Sequence, residues 1–362
     1  MFKIKKMNVF DSFQLGKTIE LKNRIVMAPL TRCRAIDNIP NDLMAKYYQQ
    51  RASAGLIISE GTSPSPNGIG YPRIPGAYSD EQITGWKKIA DSVHSEGGKI
   101  FVQLMHTGRI TAKANMPDGT VTLAPSSIIA AGEMFTETGM VAHDSPKAMT
   151  LDEIVSTQNE YVVAAKRLVN EAGIDGIELH AANGYLMNQF MNPKSNRRED
   201  QYGGSIENRT RFVLETAKKV ADEIGSDKVG IRVSPYGAYN DMQSDYEALE
   251  GTFIYLAREL AKIELAYIHI VDQRVAFGAP DFTLDIKKII KENFQGVVIS
   301  GGDVNSEEKA NAILASGLDL VYVGRPFISN PNLVEKLQNN TELVAPDMDT
   351  FYSPSEIGYT DY

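Results

Sequence analysis

The segment His180-Ala181-Ala182-Asn183-Gly184-Tyr185 brings an imidazole, a carboxamide and a phenol into one short stretch. If a helical turn starts there, His180 and Asn183 face the same way and both can donate to one substrate oxygen. Neutral imidazole and amide donors polarise a carbonyl without a metal ion. The phenol of Tyr185, with an ordinary pKa of about 10, can deliver a proton at neutral pH while staying protonated at rest. Two other uses of His180 compete: a metal ligand, and a histidine satisfied in the core. The metal reading lacks a second histidine in the segment, and His94, His106, His143 and His269 show no ligand spacing.

Arg232 stands inside the apolar run Ile231-Arg232-Val233. A guanidinium taken out of water needs an anion or several acceptors, and either a bound anionic ring system or an internal ion pair would supply them. Gln103 offers a paired donor and acceptor suited to a pyrimidine edge, and Thr31 adds a hydroxyl. Glycines recur at Ser300-Gly301-Gly302 and at Gly324-Arg325. Alone they read equally well as turn glycines beside a structural arginine. At two successive strand ends they favour a phosphate held by backbone N–H groups. A barrel lyase or aldolase on a phosphorylated sugar would also want such glycines, but it needs a Schiff-base lysine or a metal cluster, and the strand ends offer neither.

These residues need a scaffold that brings distant strand ends to one mouth. Short apolar or β-branched runs recur, each followed by helical periodicity, as in parallel βαβ units. Strands are predicted over 24–28, 56–59, 100–104, 176–179, 229–233, 267–271, 297–300 and 320–323. Helices are predicted over 43–53, 80–96, 150–172, 206–224, 246–263, 283–293, 306–316 and 332–339. Ser205 and Ser306 are N-cap candidates, and Gly173 and Gly317 sit where helix-ending glycines are wanted. The eight pairs predict an α/β fold, a (β/α)8 TIM barrel forming a single domain over 1–362, ahead of a doubly wound open sheet. At its C-terminal mouth the strands would deliver Ala28-Pro29-Leu30-Thr31, Glu60-Gly61, Gln103, His180, Arg232, Asp272-Gln273, Ser300-Gly301-Gly302 and Gly324-Arg325.

Two segments fall outside that scheme. Residues 13–21 alternate around Gly16-Lys17 and predict an N-terminal β-hairpin, either capping the barrel's N-terminal mouth or forming an ordinary strand pair. Residues 105–149, rich in Gly, Pro, Thr and Ala and without a clear helix, predict a long loop insertion after the third strand, a lid or binding loop.

Composition narrows the setting. With 43% hydrophobic and 23% charged residues over 362 positions, a sizeable core is available and disordered or fibrous classes are excluded. The net charge of −9 disfavours loose binding to nucleic acid or anionic membrane surfaces. The lone Cys33 excludes an internal disulfide, a cysteine zinc site and a cysteine-ligated iron–sulfur cluster, and fits a reducing compartment. No apolar run reaches membrane-spanning length, so a soluble cytoplasmic protein, monomer or homodimer, is expected. No Gly-x-Gly-x-x-Gly follows a strand and opens a helix, so no separate dinucleotide domain is expected.

The segments Arg24-Ile25-Val26-Met27-Ala28-Pro29-Leu30-Thr31-Arg32, His180 to Tyr185, Asn196 to Arg209 and Gly324-Arg325-Pro326 together resemble the Old Yellow Enzyme family of FMN-dependent ene-reductases, in its N-ethylmaleimide reductase-like branch. The likeness runs end to end. It implies FMN across the barrel mouth, with Ala28, Pro29, Leu30, Thr31 and Gly61 along the ring edge and Gln103 at its pyrimidine. It also implies Arg232 near N1 and O2, and Ser300, Gly301, Gly302, Gly324 and Arg325 around the phosphate. Thr31 would donate to flavin O4; relatives of the thermostable branch carry Cys there. His180 and Asn183 would bind the electron-withdrawing group of an activated alkene, an α,β-unsaturated carbonyl, maleimide or nitroalkene. Tyr185 would protonate the α-carbon after hydride leaves flavin N5 for the β-carbon. Tyr71 and Tyr352 correspond to aromatic residues of the family's pocket, and Met105 stands where many relatives have Trp, giving a more flexible wall. NAD(P)H would use the same face of the flavin as the alkene, and the two would alternate. A silent flavin-binding protein is disfavoured because His180, Asn183 and Tyr185 are all present.

Overall fold

Alternation along each strand decides which side chains enter a barrel and which meet the helices around it. The computed structural model describes residues 7–271, 285–302 and 304–362. Its elements run β1 (Phe13–Leu15), β2 (Ile19–Leu21), β3 (Ile25–Met27), α1 (Asp42–Gln49), β4 (Leu56–Ile58), α2 (Asp80–Ser95) and β5 (Ile100–Leu104). An excursion follows with β6 (Leu123–Ala124), β7 (Glu133–Thr136), β8 (Gly139–Ala142) and β9 (Lys147–Ala148). Next come α3 (Leu151–Asn170), β10 (Gly176–Ala181), α4 (Leu186–Met191), α5 (Ile206–Ile224), β11 (Val229–Val233), α6 (Leu249–Ile263) and β12 (Tyr267–Ile270). The chain ends with α7 (Ile286–Phe294), β13 (Val298–Gly301), α8 (Glu307–Ala315), β14 (Leu320–Val323), α9 (Pro326–Ser329) and α10 (Leu333–Gln338).

Eight of these strands close into a parallel barrel in the order β3, β4, β5, β10, β11, β12, β13, β14, so the open-sheet alternative falls. One set of side chains, including Val102, Ile177, Ile231, Ile268 and Val321, joins Trp86, Leu168, Phe212 and Leu256 of the helices in the outer core. The alternate set, including Val26, Leu56, Phe101, Tyr267, Ile299 and Leu320, fills the barrel. Leu15, Ile19 and Leu21 of the β1–β2 hairpin belong to that inner cluster, so the hairpin caps the N-terminal mouth rather than standing apart. Burying such side chains contributes about 1.5–3 kcal/mol each before entropy is counted.

Helix starts follow the expected chemistry. Ser205 and Ser306 accept from the backbone N–H of Asn208 and Lys309, and Thr150 forms a full capping box with Glu153. Gly173 and Gly317, with φ of +75° and +95°, follow the ends of α3 and α8. One expectation is filled in and one is corrected. The segment 105–149 is not wholly irregular: β7 and β8 form an antiparallel hairpin, and β6 pairs with β9. β10 runs to Ala181, so His180 is a strand residue and opens no helical turn. The Asp272-Gln273 strand end and the start of the sixth predicted helix, 283–293, lie outside the described residues.

Candidate active site

A cavity of about 480 Å³ opens at the C-terminal mouth. Pro29, Leu30 and Thr31, just past β3, line one side with Arg325, and Tyr71 and Tyr185 line another. Cys33 also reaches this wall, but burial first and Glu60 second push its thiol up to about 12, so it stays protonated.

Beyond β10 the chain turns sharply, with Asn183 and Gly184 both left-handed at φ of +57° and +77°. This turn, not helical spacing, sets the relation of His180 to Asn183. The Ala182 backbone N–H donates to His180 Nδ1 at 3.3 Å, which leaves the proton on Nε2 as the free donor. Burial, then the charge of Arg232, holds the imidazole well below the ordinary histidine range, so it is neutral. The Asn183 backbone is clamped at both ends: its N–H donates to Ser234 Oγ at 2.8 Å, and its carbonyl accepts from Asn240 Nδ2 at 2.8 Å. Its side-chain amide makes no hydrogen bond among the described residues. The Tyr185 ring meets His180 edge-on at 4.9 Å, and its hydroxyl lies 3.0 Å from that of Tyr71. Burial raises both phenols above the ordinary tyrosine value.

Beneath the cavity the barrel interior turns polar. Gln103, Glu178, His180, Arg232 and His269 each lie between strand neighbours that belong to the outer core, so all five point inward. Registers pair Gln103 with Glu178, and align His180, Arg232 and His269 across β10, β11 and β12. Arg232 is 8% exposed, and its Nε is buried without a hydrogen-bond partner among the described residues. At the end of β14, a Cβ built on Gly324 meets only Leu30 Cδ2, at 4.0 Å, which leaves an open cradle beside Arg325. An anionic ring with a phosphate suits this set, and FMN fits it.

Other predicted positions fall elsewhere. Ala28 is in the inner core, and Ser300 follows inward-facing Ile299, so its side chain faces the helices and only its backbone can serve the mouth. Gly301 ends β13, and Gly302 has φ of +147°. Met105 is 1% exposed and packs with Tyr185; a side chain at Gly61 would collide with its sulfur. Met105 therefore supports the wall rather than lining it.

Sequence reasoning missed three contributors. The β7–β8 hairpin brings Met134, Phe135 and Met140 over the cavity, and its period-two pattern across Thr138-Gly139 was the available signal. The loop after β11 adds Tyr239 and Asn240. The C-terminal tail adds Phe351 beside the expected Tyr352, and Tyr352 meets Phe135 at 6.0 Å. Buried arginines anchor that tail through its main chain. Arg34 donates to the carbonyls of Phe351 at 2.6 Å and Thr350 at 2.8 Å, and Arg32 to that of Gly358 at 2.7 Å. Arg73 donates to the Tyr352 carbonyl at 2.8 Å and pairs with Glu137 at the hairpin tip, joining tail to lid. Among the described residues no group of side chains could hold a metal ion, and no helix is long and apolar enough to cross a membrane.

Residues 8–343 match the NADH:flavin oxidoreductase / NADH oxidase family. A probable flavin mononucleotide-dependent alkene reductase from Leishmania infantum is 40% identical over 348 residues, 94% of this chain and 93% of that protein. Morphinone reductase superposes with a TM-score of 0.93 at 41% identity, covering 99% of this chain and 96% of that one; it has also been solved with tetrahydroNAD. An Old Yellow Enzyme homologue from Zymomonas mobilis gives a TM-score of 0.93 at 37% identity, covering 98% and 99%. With barrel, mouth and end-to-end likeness in agreement, the chain belongs to the Old Yellow Enzyme family of NADH:flavin oxidoreductases and is an FMN flavoprotein that draws hydride from NAD(P)H.

Proposed function

We propose that this chain is a single-domain ene-reductase that reduces the activated C=C bond of α,β-unsaturated carbonyl, maleimide or nitroalkene compounds in the cytoplasm. Bound FMN supplies the two-electron hydride chemistry between NAD(P)H and the alkene. The protein's own side chains do the rest. His180 Nε2–H and the Asn183 amide hold the electron-withdrawing oxygen and draw charge toward it. Tyr185 gives its proton to the α-carbon. Arg232 compensates negative charge on the cofactor ring, Gln103 reads its pyrimidine edge, and Thr31, Pro29, Leu30 and Gly61 line it. Gly301, Gly302, Gly324 and Arg325 hold the phosphate, with Ser300 contributing backbone.

The observation that carries this reading is the pairing of a neutral histidine, its Nε2–H free, with a protonated phenol 4.9 Å away between ring centroids. Such a pair polarises a carbonyl and delivers a proton without a metal. The lyase alternative wants a lysine or a metal where these residues stand. The test is a visible spectrum of the purified protein followed by single-turnover mixing with 2-cyclohexenone. Absence of a flavin band at about 450 nm would overturn the cofactor assignment. A bound flavin that NAD(P)H reduces but no activated alkene reoxidises would overturn the substrate class.

A further inference from the structure

Glu178 has no role in the handling of substrate described above, yet it sits under the mouth with 0% exposure. Its Oε1 accepts from Gln103 Nε2 at 2.7 Å and its Oε2 from His269 Nδ1 at 2.8 Å. We propose that Glu178 is a positioning residue for the flavin, fixing the amide of Gln103 toward the pyrimidine edge and setting, against Arg232, the reduction potential of the ring.

The first half follows from hydrogen-bond inventory. A carboxylate only accepts, so the amide nitrogen of Gln103 must face Glu178 and the amide oxygen cannot. What remains for a ligand is that oxygen and one N–H, side by side. This is the complement of a pyrimidine N3–H beside a carbonyl. A glutamine without Glu178 would sample both amide orientations. The charged acceptor also polarises the amide and strengthens its oxygen as an acceptor.

The second half follows from charge. The five inward polar residues beneath the mouth include one carboxylate, Glu178, and one guanidinium, Arg232. His269 adds none: burial lowers its pKa despite the nearby carboxylate, so it donates as a neutral imidazole. The field of Arg232 at the ring is therefore opposed by Glu178 in a medium that screens poorly.

This inference rests on FMN meeting Gln103, so the experiment separates the two. FMN dissociation constants and dye-equilibrated midpoint potentials are measured on reconstituted holoenzyme for Glu178→Gln, Glu178→Asp and Gln103→Met. Glu178→Gln removes the anion and frees the amide. It should weaken FMN about tenfold and raise the potential by about 30 mV, the equivalent of a tenfold shift in a two-electron equilibrium. Glu178→Asp keeps the charge but withdraws the acceptor, so affinity should fall while the potential holds. In the Gln103→Met background, Glu178→Gln should cost no further affinity. Unchanged affinity and potential in Glu178→Gln, with FMN weakened by Gln103→Met, would overturn the role of Glu178 alone. Unchanged FMN affinity in Gln103→Met itself would overturn the placement of the flavin, and this inference with it. Should Glu178→Gln not fold, unchanged affinity in Glu178→Asp would overturn the proposal.

Discussion

Replacing Tyr185 by phenylalanine removes one oxygen and leaves the ring in place, edge-on to His180 at 4.9 Å and to Tyr71 at 6.2 Å. The lost interaction is the 3.0 Å contact between two phenol hydroxyls. A net hydrogen bond is worth about 0.5–1.5 kcal/mol, so stability and flavin content should hold, and binding defects should stay within about tenfold. Proton delivery costs more. A positioned general acid contributes roughly 10²–10⁴ in rate, or about 2.7–5.4 kcal/mol at about 1.36 kcal/mol per decade. The two ranges separate, so the size of the defect identifies its cause. Stopped-flow traces of the two half-reactions measure it. Reduction by NAD(P)H should be unchanged, and reoxidation by 2-cyclohexenone should slow by the larger factor. A nitroalkene should still take up hydride readily, because its nitronate product can be protonated by water. Unaffected enone reduction, or a parallel fall in both half-reactions, would refute the assignment and make His180 the next donor to test.

Arg232→Ala should weaken FMN binding or lower the flavin potential, since a countercharge only 8% exposed is removed; titration of the apoprotein with FMN and a dye-equilibrated potential check this. His180→Ala and Asn183→Ala should each weaken the phenolate complex by about 1–3 kcal/mol, read from the long-wavelength band on phenol titration, and loss in neither counts against the donor pair. Because the His180 pKa is held well below the ordinary value, its neutral form persists as pH falls, and substrate KM should show no histidine inflection between about pH 8 and 5.5. His106 is buried with its pKa lowered to about 3, while the unfolded imidazole protonates near the ordinary value. The unfolded state therefore binds the extra proton, and stability falls as pH drops below about 6.5 by up to about 1.4 kcal/mol per unit. His180 and His269, also held low by burial, add slopes of the same sign, so His106→Gln should make the fall in urea-denaturation stability between pH 7 and pH 5 shallower without abolishing it; an equal fall in both proteins would show that His106 does not contribute.

The barrel was legible because its signals are local and repeated. Val229–Val233 and Leu320–Val323 stand at the bounds expected from their apolar runs, and Ser205 caps α5 as its position before Ile206 implied. The turn after β10 was not, because His180 and Asn183 at spacing three fit a helix as well as a strand end followed by two left-handed residues. Only Gly184 hinted at the latter. Within the expected lid the hairpin was missed because β7 and β8 are four residues each, too short for alternation to stand out in a segment rich in turn formers. Glu178 and His269 escaped notice for a different reason. Their strands read as continuously apolar, and the argument that singled out Arg232, a polar group in an inward position, applied to them equally.

The hydrogen bonds by which Arg32, Arg34 and Arg73 hold the tail at Phe351 and Tyr352 go to main-chain carbonyls, while the two rings add only the Arg32–Phe351 and Phe135–Tyr352 contacts. An anchor that grips the main chain is indifferent to what the side chains are. Residues 351 and 352 can therefore change identity while the turn that carries them keeps its path, and the shape of the accepted alkene can be recut there without reworking the barrel. Selection for new substrates, natural or in the laboratory, would find its least constrained ground in this tail, far along the chain from His180 and Tyr185.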